Sequence, residues 1–127
     1  MKDVIKTDKA PAAIGTYSQA VRHGNTLYIS GQIPLDPGTM EIVSDDFATQ
    51  ASRVFENLSA VCRAAGVELD RALKFTVYLT DLGNFTLVNE TMAKFLNEPF
   101  PARAAVEVSA LPKGAKIEVD AIVALAD

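Results

Sequence analysis

Leu73, Phe75, Val77 and Leu79 alternate without a break with Lys74, Thr76, Tyr78 and Thr80. A period of two puts the four apolar side chains on one face of a β-strand. Near the C-terminus Ile117, Val119, Ala121 and Val123 repeat the pattern, with Lys116, Glu118, Asp120, Ile122 and Ala124 on the other face. Strands of this kind need a layer over the apolar side. Two segments of helical period supply it. From Asp46 to Ala65 the stripe is Phe47, Ala51, Val54, Phe55, Leu58, Val61, Cys62 and Ala65. Ser44, Asp45 and Asp46 suit its start, and Gly66 its stop. A second helix is expected from Asn84 to Asn97, with Phe85, Val88, Met92, Phe95 and Leu96 inward and Pro99 and Pro101 ending it.

The remaining strands are shorter. Val4 to Lys6 reads as an edge strand. Ser18 to Arg22 and Thr26 to Ile33 read as a hairpin about His23-Gly24-Asn25. In the latter, Leu27, Ile29, Gly31 and Ile33 are assigned one face, and Tyr28, Ser30 and Gln32 the other. Asp36-Pro37-Gly38-Thr39 is a turn. In the strand from Arg103 to Ser109, Ala104, Val106 and Val108 share one face. Arg103, Ala105, Glu107 and Ser109 share the opposite one. The order β-β-β-α-β-α-β-β gives an α+β domain, one sheet with two helices on a single face. At 127 residues it is one domain, with 49% hydrophobic and 22% charged residues.

The uncovered face is expected to carry Tyr28, Ser30, Thr76, Tyr78, Arg103, Glu107, Glu118, Asp120 and Ile122. Charges mixed with apolar groups on such a face suggest burial against another copy; the alternative is a solvated antiparallel face.

Composition limits the chemistry. The net charge of −4 argues against a phosphate backbone as main partner. One histidine, His23, and one cysteine, Cys62, exclude an intrachain disulfide and a structural zinc site. His23 is placed in a turn, and Cys62 on the core stripe. Neither a signal peptide nor a membrane span is legible, so the cytoplasm is the expected location.

Carboxylates, arginine, hydroxyls and backbone amides remain. Arg103, on a strand stiffened by Pro101, offers a fork suited to a carboxylate; the alternative is an ion pair with Glu107 or Glu118. Glu118 is either a carboxylate that orients water or an interface ion-pair partner. Gly31, after Ser30, admits a ligand close to the backbone or simply marks a bulge. Tyr17, in the loop with Gly15, covers a ligand or packs. Asn89 is a polar spacer on the second helix.

Taken together, Ala10-Pro11-Ala12-Ala13-Ile14-Gly15-Thr16-Tyr17-Ser18-Gln19-Ala20, Ile29-Ser30-Gly31-Gln32-Ile33-Pro34, Tyr78-Leu79-Thr80-Asp81-Leu82, Phe85-Thr86-Leu87-Val88-Asn89, Pro101-Ala102-Arg103-Ala104-Ala105-Val106-Glu107-Val108, Ala110-Leu111-Pro112-Lys113 and Lys116-Ile117-Glu118-Val119 resemble the Rid (YjgF, L-PSP) family over nearly the whole chain. The resemblance implies a chorismate-mutase-like fold with a mixed, mainly antiparallel sheet of about six strands. It implies a homotrimer with sheets inside and ligand clefts between subunits.

The implied activity is cofactor-independent hydrolysis of 2-imino acids, such as 2-iminopropanoate (from 2-aminoacrylate) and 2-iminobutanoate, to 2-keto acids and ammonia. This clears imines that attack pyridoxal-phosphate enzymes. Arg103 would grip the substrate carboxylate and Glu118 would place the water. Ser30 and Gly31 would line the site, Tyr17 would cover it from a neighbouring subunit, and Asn89 would add a polar contact. Ala105 stands where many members carry cysteine, which excludes a thiol role there and gives the pocket a smaller wall. A non-catalytic trimer that binds keto or amino acids is the alternative, and a translation-inhibiting ribonuclease a weaker one.

Overall fold

The computed structural model describes residues 1–127. Six strands form one sheet: β1 (Asp3–Ile5), β2 (Ala20–His23), β3 (Thr26–Gln32), β4 (Ala72–Leu79), β5 (Ala102–Glu107) and β6 (Ile117–Ala124). Their order across the sheet is β1-β2-β3-β6-β4-β5. Only β4 and β5 are parallel; the other pairs are antiparallel. Two helices, α1 (Phe47–Ala64) and α2 (Phe85–Phe95), connect β3 to β4 and β4 to β5. The α+β architecture matches the expectation, with β6 inserted between β3 and β4.

Helix α1 begins where the Asp46 carboxylate accepts from Thr49 N–H at 3.0 Å and from its hydroxyl at 2.7 Å. Those two bonds hold the Asp46 carboxyl below its ordinary value. The helix stops before Gly66, which takes φ +86°, a conformation glycine adopts without steric cost. Its inward stripe is buried as the period requires, and Phe55 meets Phe75 of β4 edge-on at 5.6 Å. Cys62 lies in the same layer, its thiol pushed up to about 12 chiefly by burial. Helix α2 follows a 3-10 turn, Leu82–Asn84, capped by Asp81. It is shorter than its pattern suggested. Leu96 has left the helix (φ −127°, ψ 151°), yet it is only 4% exposed because the extended backbone turns its side chain back into the core.

Three face assignments are corrected. In β4 the register with β6 slips between Ala72 and Lys74, and Leu73 is thrown outward, 52% exposed. In β3 a similar slip lies between Ile29 and Gln32. Gln32 therefore joins the buried side with Val119, while Ser30 and Gly31 occupy the irregularity. The third concerns β5. Arg103, Ala105 and Glu107 pair with Phe75, Val77 and Leu79, all of which face the helices. Arg103 and Glu107 thus lie on the covered side, and Ala104 and Val106 on the open side. The sheet face opposite the helices keeps Tyr28, Ser30, Thr76, Tyr78, Glu118, Asp120 and Ile122, as expected.

Neither helix is long and apolar enough to cross a membrane.

Candidate functional site

The residues singled out by sequence fall into two clusters on opposite faces of the sheet.

The first is built on β5 and α2. Arg103 sits on the outermost strand and is exposed, with α2 beside it. One guanidinium NH donates to the side-chain oxygen of Asn89 at 2.5 Å and lies 3.6 Å from the Met92 sulfur. The guanidinium carbon stands 4.8 Å from the centroid of the Phe85 ring. Phe85, Asn89 and Met92 are spaced i, i+4, i+7, so one face of α2 forms the whole cradle. The sequence reading placed Phe85 and Met92 in the core and gave them no role at Arg103. Their helical spacing with Asn89 was the available signal.

The alternative of an ion pair is excluded within the chain. Glu107 accepts instead from Leu82 N–H at 3.0 Å, and Arg103 is in none of the four ion pairs. A cleft of about 450 Å³ opens beside Arg103, lined also by Asn89, Met92, Ala93, Leu96, Phe100 and Pro101. Ala105, two residues along β5, packs against the core, so its small side chain faces the protein interior rather than that cleft.

The second cluster lies on the open face. Glu118 on β6 is half-buried and takes part in no ion pair. Burial, with a smaller contribution from Asp120, holds its carboxyl above the ordinary value. Asp120 is engaged by the Tyr78 hydroxyl, which donates to it at 3.1 Å. Burial and that acidic neighbour also raise the Tyr78 hydroxyl. Gly31 lies against Glu118. A Cβ on Gly31 would overlap Glu118 Oε2 and stand 2.9 Å from its Cδ. Only glycine leaves that carboxylate its present position.

Ser30 and Tyr17 belong to the same side. The Ser30 hydroxyl donates to Ser18 C=O at 2.6 Å, and Ser30 N–H donates to Gln19 C=O at 3.0 Å. Ser30 therefore ties the Tyr17 loop to β3. Tyr17 itself is 52% exposed. Gln19, which sequence reading left without a role, is 3% exposed and fastens the N-terminal segment. Its amide nitrogen donates to the carbonyls of Thr7, Ala10 and Pro11, and its oxygen accepts from Thr7 N–H. Buried Gln50 and Asn57 on α1 do similar work. Gln50 bridges Ser44 C=O and Lys116 N–H, and Asn57 holds the carbonyls of Ile33 and Leu35.

Chemically the two clusters are complementary. The first presents a cation whose holding partners are all neutral, so its charge is available to an anion. The second presents a free carboxylate in partial shelter.

Fold and site define a small α+β domain with an arginine-centred cleft at one sheet edge and an unpaired carboxylate on the open face. The chain belongs to the endoribonuclease L-PSP family, the YjgF/RidA proteins, whose family model matches residues 7–125. It is similar to the crystal structure of RidA from an Antarctic Psychrobacter species, with 56% identity, a TM-score of 0.92, and 96% and 98% of the two chains covered. Escherichia coli TdcF, solved with bound serine, is similar at 39% identity and a TM-score of 0.90, over 96% and 98% of the two chains. A human relative named 2-iminobutanoate/2-iminopropanoate deaminase is 45% identical over 96% of this chain and 89% of its own length.

Proposed function

We propose that the protein hydrolyses reactive 2-imino acids to 2-keto acids and ammonia without a cofactor, at sites formed between subunits of a homotrimer. The observation that carries this reading is Arg103, a guanidinium held only by an amide oxygen, a thioether and a ring at the mouth of a cleft. The human relative's name and the serine bound to TdcF support a substrate with an amino-acid-like carboxylate.

Arg103 grips that carboxylate through charge-assisted, bidentate bonds. Asn89 and Phe85 keep its fork from rotating away. The imine carbon then lies before the Glu118 carboxylate of an adjoining subunit, since Glu118 of the same chain is on the far face of the sheet. Glu118 accepts a hydrogen bond from the water and orients it toward C2. Addition of water across C=N gives a carbinolamine; the C–N bond then breaks, ammonia leaves, and the carbonyl forms. A protonated imine is already electrophilic, so placement of water and substrate supplies most of what is needed. Gly31 leaves the carboxylate its place, and Tyr17, exposed on its loop, closes the site. Such a reaction suits a cytoplasmic scavenger that spares pyridoxal-phosphate enzymes.

The test couples a serine or threonine dehydratase to the protein and follows imine decay and ammonia release. Wild type is expected to exceed the spontaneous rate. Arg103→Ala is expected to lower kcat/KM by at least a hundredfold, because two charge-assisted bonds of roughly 1.5–3 kcal/mol each are lost. Spontaneous decay unchanged by wild type, together with tight 2-keto acid binding, would instead support a binding protein.

A further inference from the structure

Glu118 and Asp120 stand two residues apart on β6 and share its open face. Two carboxylates so placed repel each other, and no cation of the chain pairs with either. Lys116, on the same face of β6, directs its ammonium to Asp45 C=O at 2.6 Å. Lys74, exposed on the open side of β4, is in none of the four ion pairs. On β3 the nearest residues are Ser30 and Gly31, which carry no charge. The one group that joins the two acids is Tyr78. Its backbone pairs with Glu118 across the β4–β6 register, and Asp120 pairs with Thr76. Yet the Tyr78 hydroxyl donates to Asp120 Oδ2, at 3.1 Å. An aromatic side chain reaches such a diagonal neighbour. The Tyr78 side chain therefore starts opposite Glu118 and ends on Asp120.

We infer that Tyr78 is a positioning residue for the water-orienting carboxylate: its hydroxyl holds the Asp120 charge beside Glu118, and that held charge strengthens Glu118 as an acceptor toward water. The inference rests on the deaminase reading above. The hydroxyl–carboxylate bond is charge-assisted, so it can keep Asp120 in place against the repulsion of its neighbour. A negative charge there makes Glu118 hold a proton more firmly, in addition to the larger effect of burial. A carboxylate of greater proton affinity accepts a stronger hydrogen bond from the water it orients. Without the hydroxyl, repulsion turns Asp120 away and that effect weakens. Arg103 of the adjoining subunit faces Glu118 in the proposed site, and it is common to wild type and to every variant of the pair.

The experiment compares wild type with Tyr78→Phe, Asp120→Asn and the double variant. Tyr78→Phe keeps the ring and Asp120→Asn keeps the shape, so each is expected to fold. Dehydratase-generated 2-iminobutanoate is the substrate, and kcat/KM above the spontaneous rate is followed from about pH 5 to about pH 8. Both single variants are expected to lose roughly two- to tenfold on the neutral plateau, because Glu118 is a weaker acceptor. Both are also expected to keep a larger share of their own plateau at acid pH, since the acid limb moves down. The double variant should match Asp120→Asn, because the hydroxyl acts only through that charge. A lower plateau with the acid limb unmoved overturns the inference, since lost packing alone would produce it. So does a Tyr78→Phe profile identical to wild type. A second readout needs no turnover. The Tm gain from Glu118→Gln at neutral pH is measured in wild-type, Tyr78→Phe and Asp120→Asn backgrounds. It is expected to shrink in both variants and to stay above zero, because burial still opposes the charge. An equal gain in all three backgrounds overturns the pair, whatever the reaction. Absence of imine hydrolysis in wild type overturns the deaminase reading and, through it, the role toward water; the Tm gains tell that failure from a failure of the pair itself.

Discussion

Glu118 and Arg103 are prepared in opposite ways. Arg103 keeps an available charge because its partners are neutral, while Glu118 is discouraged from carrying its charge by burial and by Asp120. The second fact has a consequence for stability. A carboxyl whose folded-state value is raised binds its proton more tightly when folded. Its favourable contribution is complete below the unfolded value, about 4.3, and is lost as pH rises through the folded value. At neutral pH, ionised Glu118 therefore costs stability. Glu118→Gln is expected to raise Tm at pH 7, and the gain should shrink to nothing by about pH 4. Thermal scans across that range check this, and a gain that persists at pH 4 would show that charge is not its source. Activity should move the other way. The carboxylate form orients water, so the wild-type rate is expected to fall on acidification above the usual carboxylate range. Glu118→Gln should lose most of the rate and that acid limb with it. Both residue types were legible in sequence. The neutral cradle of Arg103 was signalled only by the i, i+4, i+7 spacing of Phe85, Asn89 and Met92, and a cation on an alternating strand reads most simply as half of an ion pair.

The elements explain where sequence reading succeeded and where it failed. The α1 stripe was legible because an 18-residue amphipathic helix repeats its signal five times over, and the Asp46 cap and Gly66 mark its ends. In β3 and β4 the period of two held until an irregularity added a residue, and no local feature of Leu73 or Gln32 announces the slip. In β5 the error had another cause. Hydrophobicity assigned Ala104 and Val106 inward, yet the strand's inner face carries Arg103, Ala105 and Glu107 because α2 and the 82–84 turn bring polar groups, Asn89 and Leu82 N–H, to meet them. The β3 irregularity also places the glycine that matters. Gly31→Ala would thrust a methyl group into the end of the Glu118 side chain, which can swing aside. Tm is therefore expected to change little, by the equivalent of about 1 kcal/mol or less, the scale of an off-rotamer side chain. Activity should fall at least tenfold, because the carboxylate no longer sits where water needs it. Denaturation curves beside kcat/KM separate the two effects. A large Tm loss with normal kcat/KM would assign Gly31 to packing alone.

Across the molecule the open sheet face joins Tyr28, Ile122, Tyr78 and Val106 into a mixed surface, with Tyr28 46% and Val106 43% exposed. Such a face suits a symmetric partner copy. Assembly would also resolve the separation of the two clusters, since the sheet stands between Arg103 and Glu118 of any one chain. A mixing experiment distinguishes a shared site from a private one. Arg103→Ala and Glu118→Gln subunits, each with only residual activity alone, are unfolded together in equal amounts and refolded. In a cyclic trimer that pairs Arg103 of one subunit with Glu118 of the next, every hybrid has one junction at which both residues are native. Random assembly makes roughly three quarters of the trimers hybrids, each with about a third of the native sites. The mixture should therefore recover roughly a quarter of wild-type activity, counted by native junctions in a closed ring. Mixing without refolding should recover none while the trimers stay intact. If each chain carried a complete site of its own, every subunit in the refolded mixture would still lack either its arginine or its glutamate. Activity would then stay at the level of the separate variants, even with sedimentation showing full assembly into trimers.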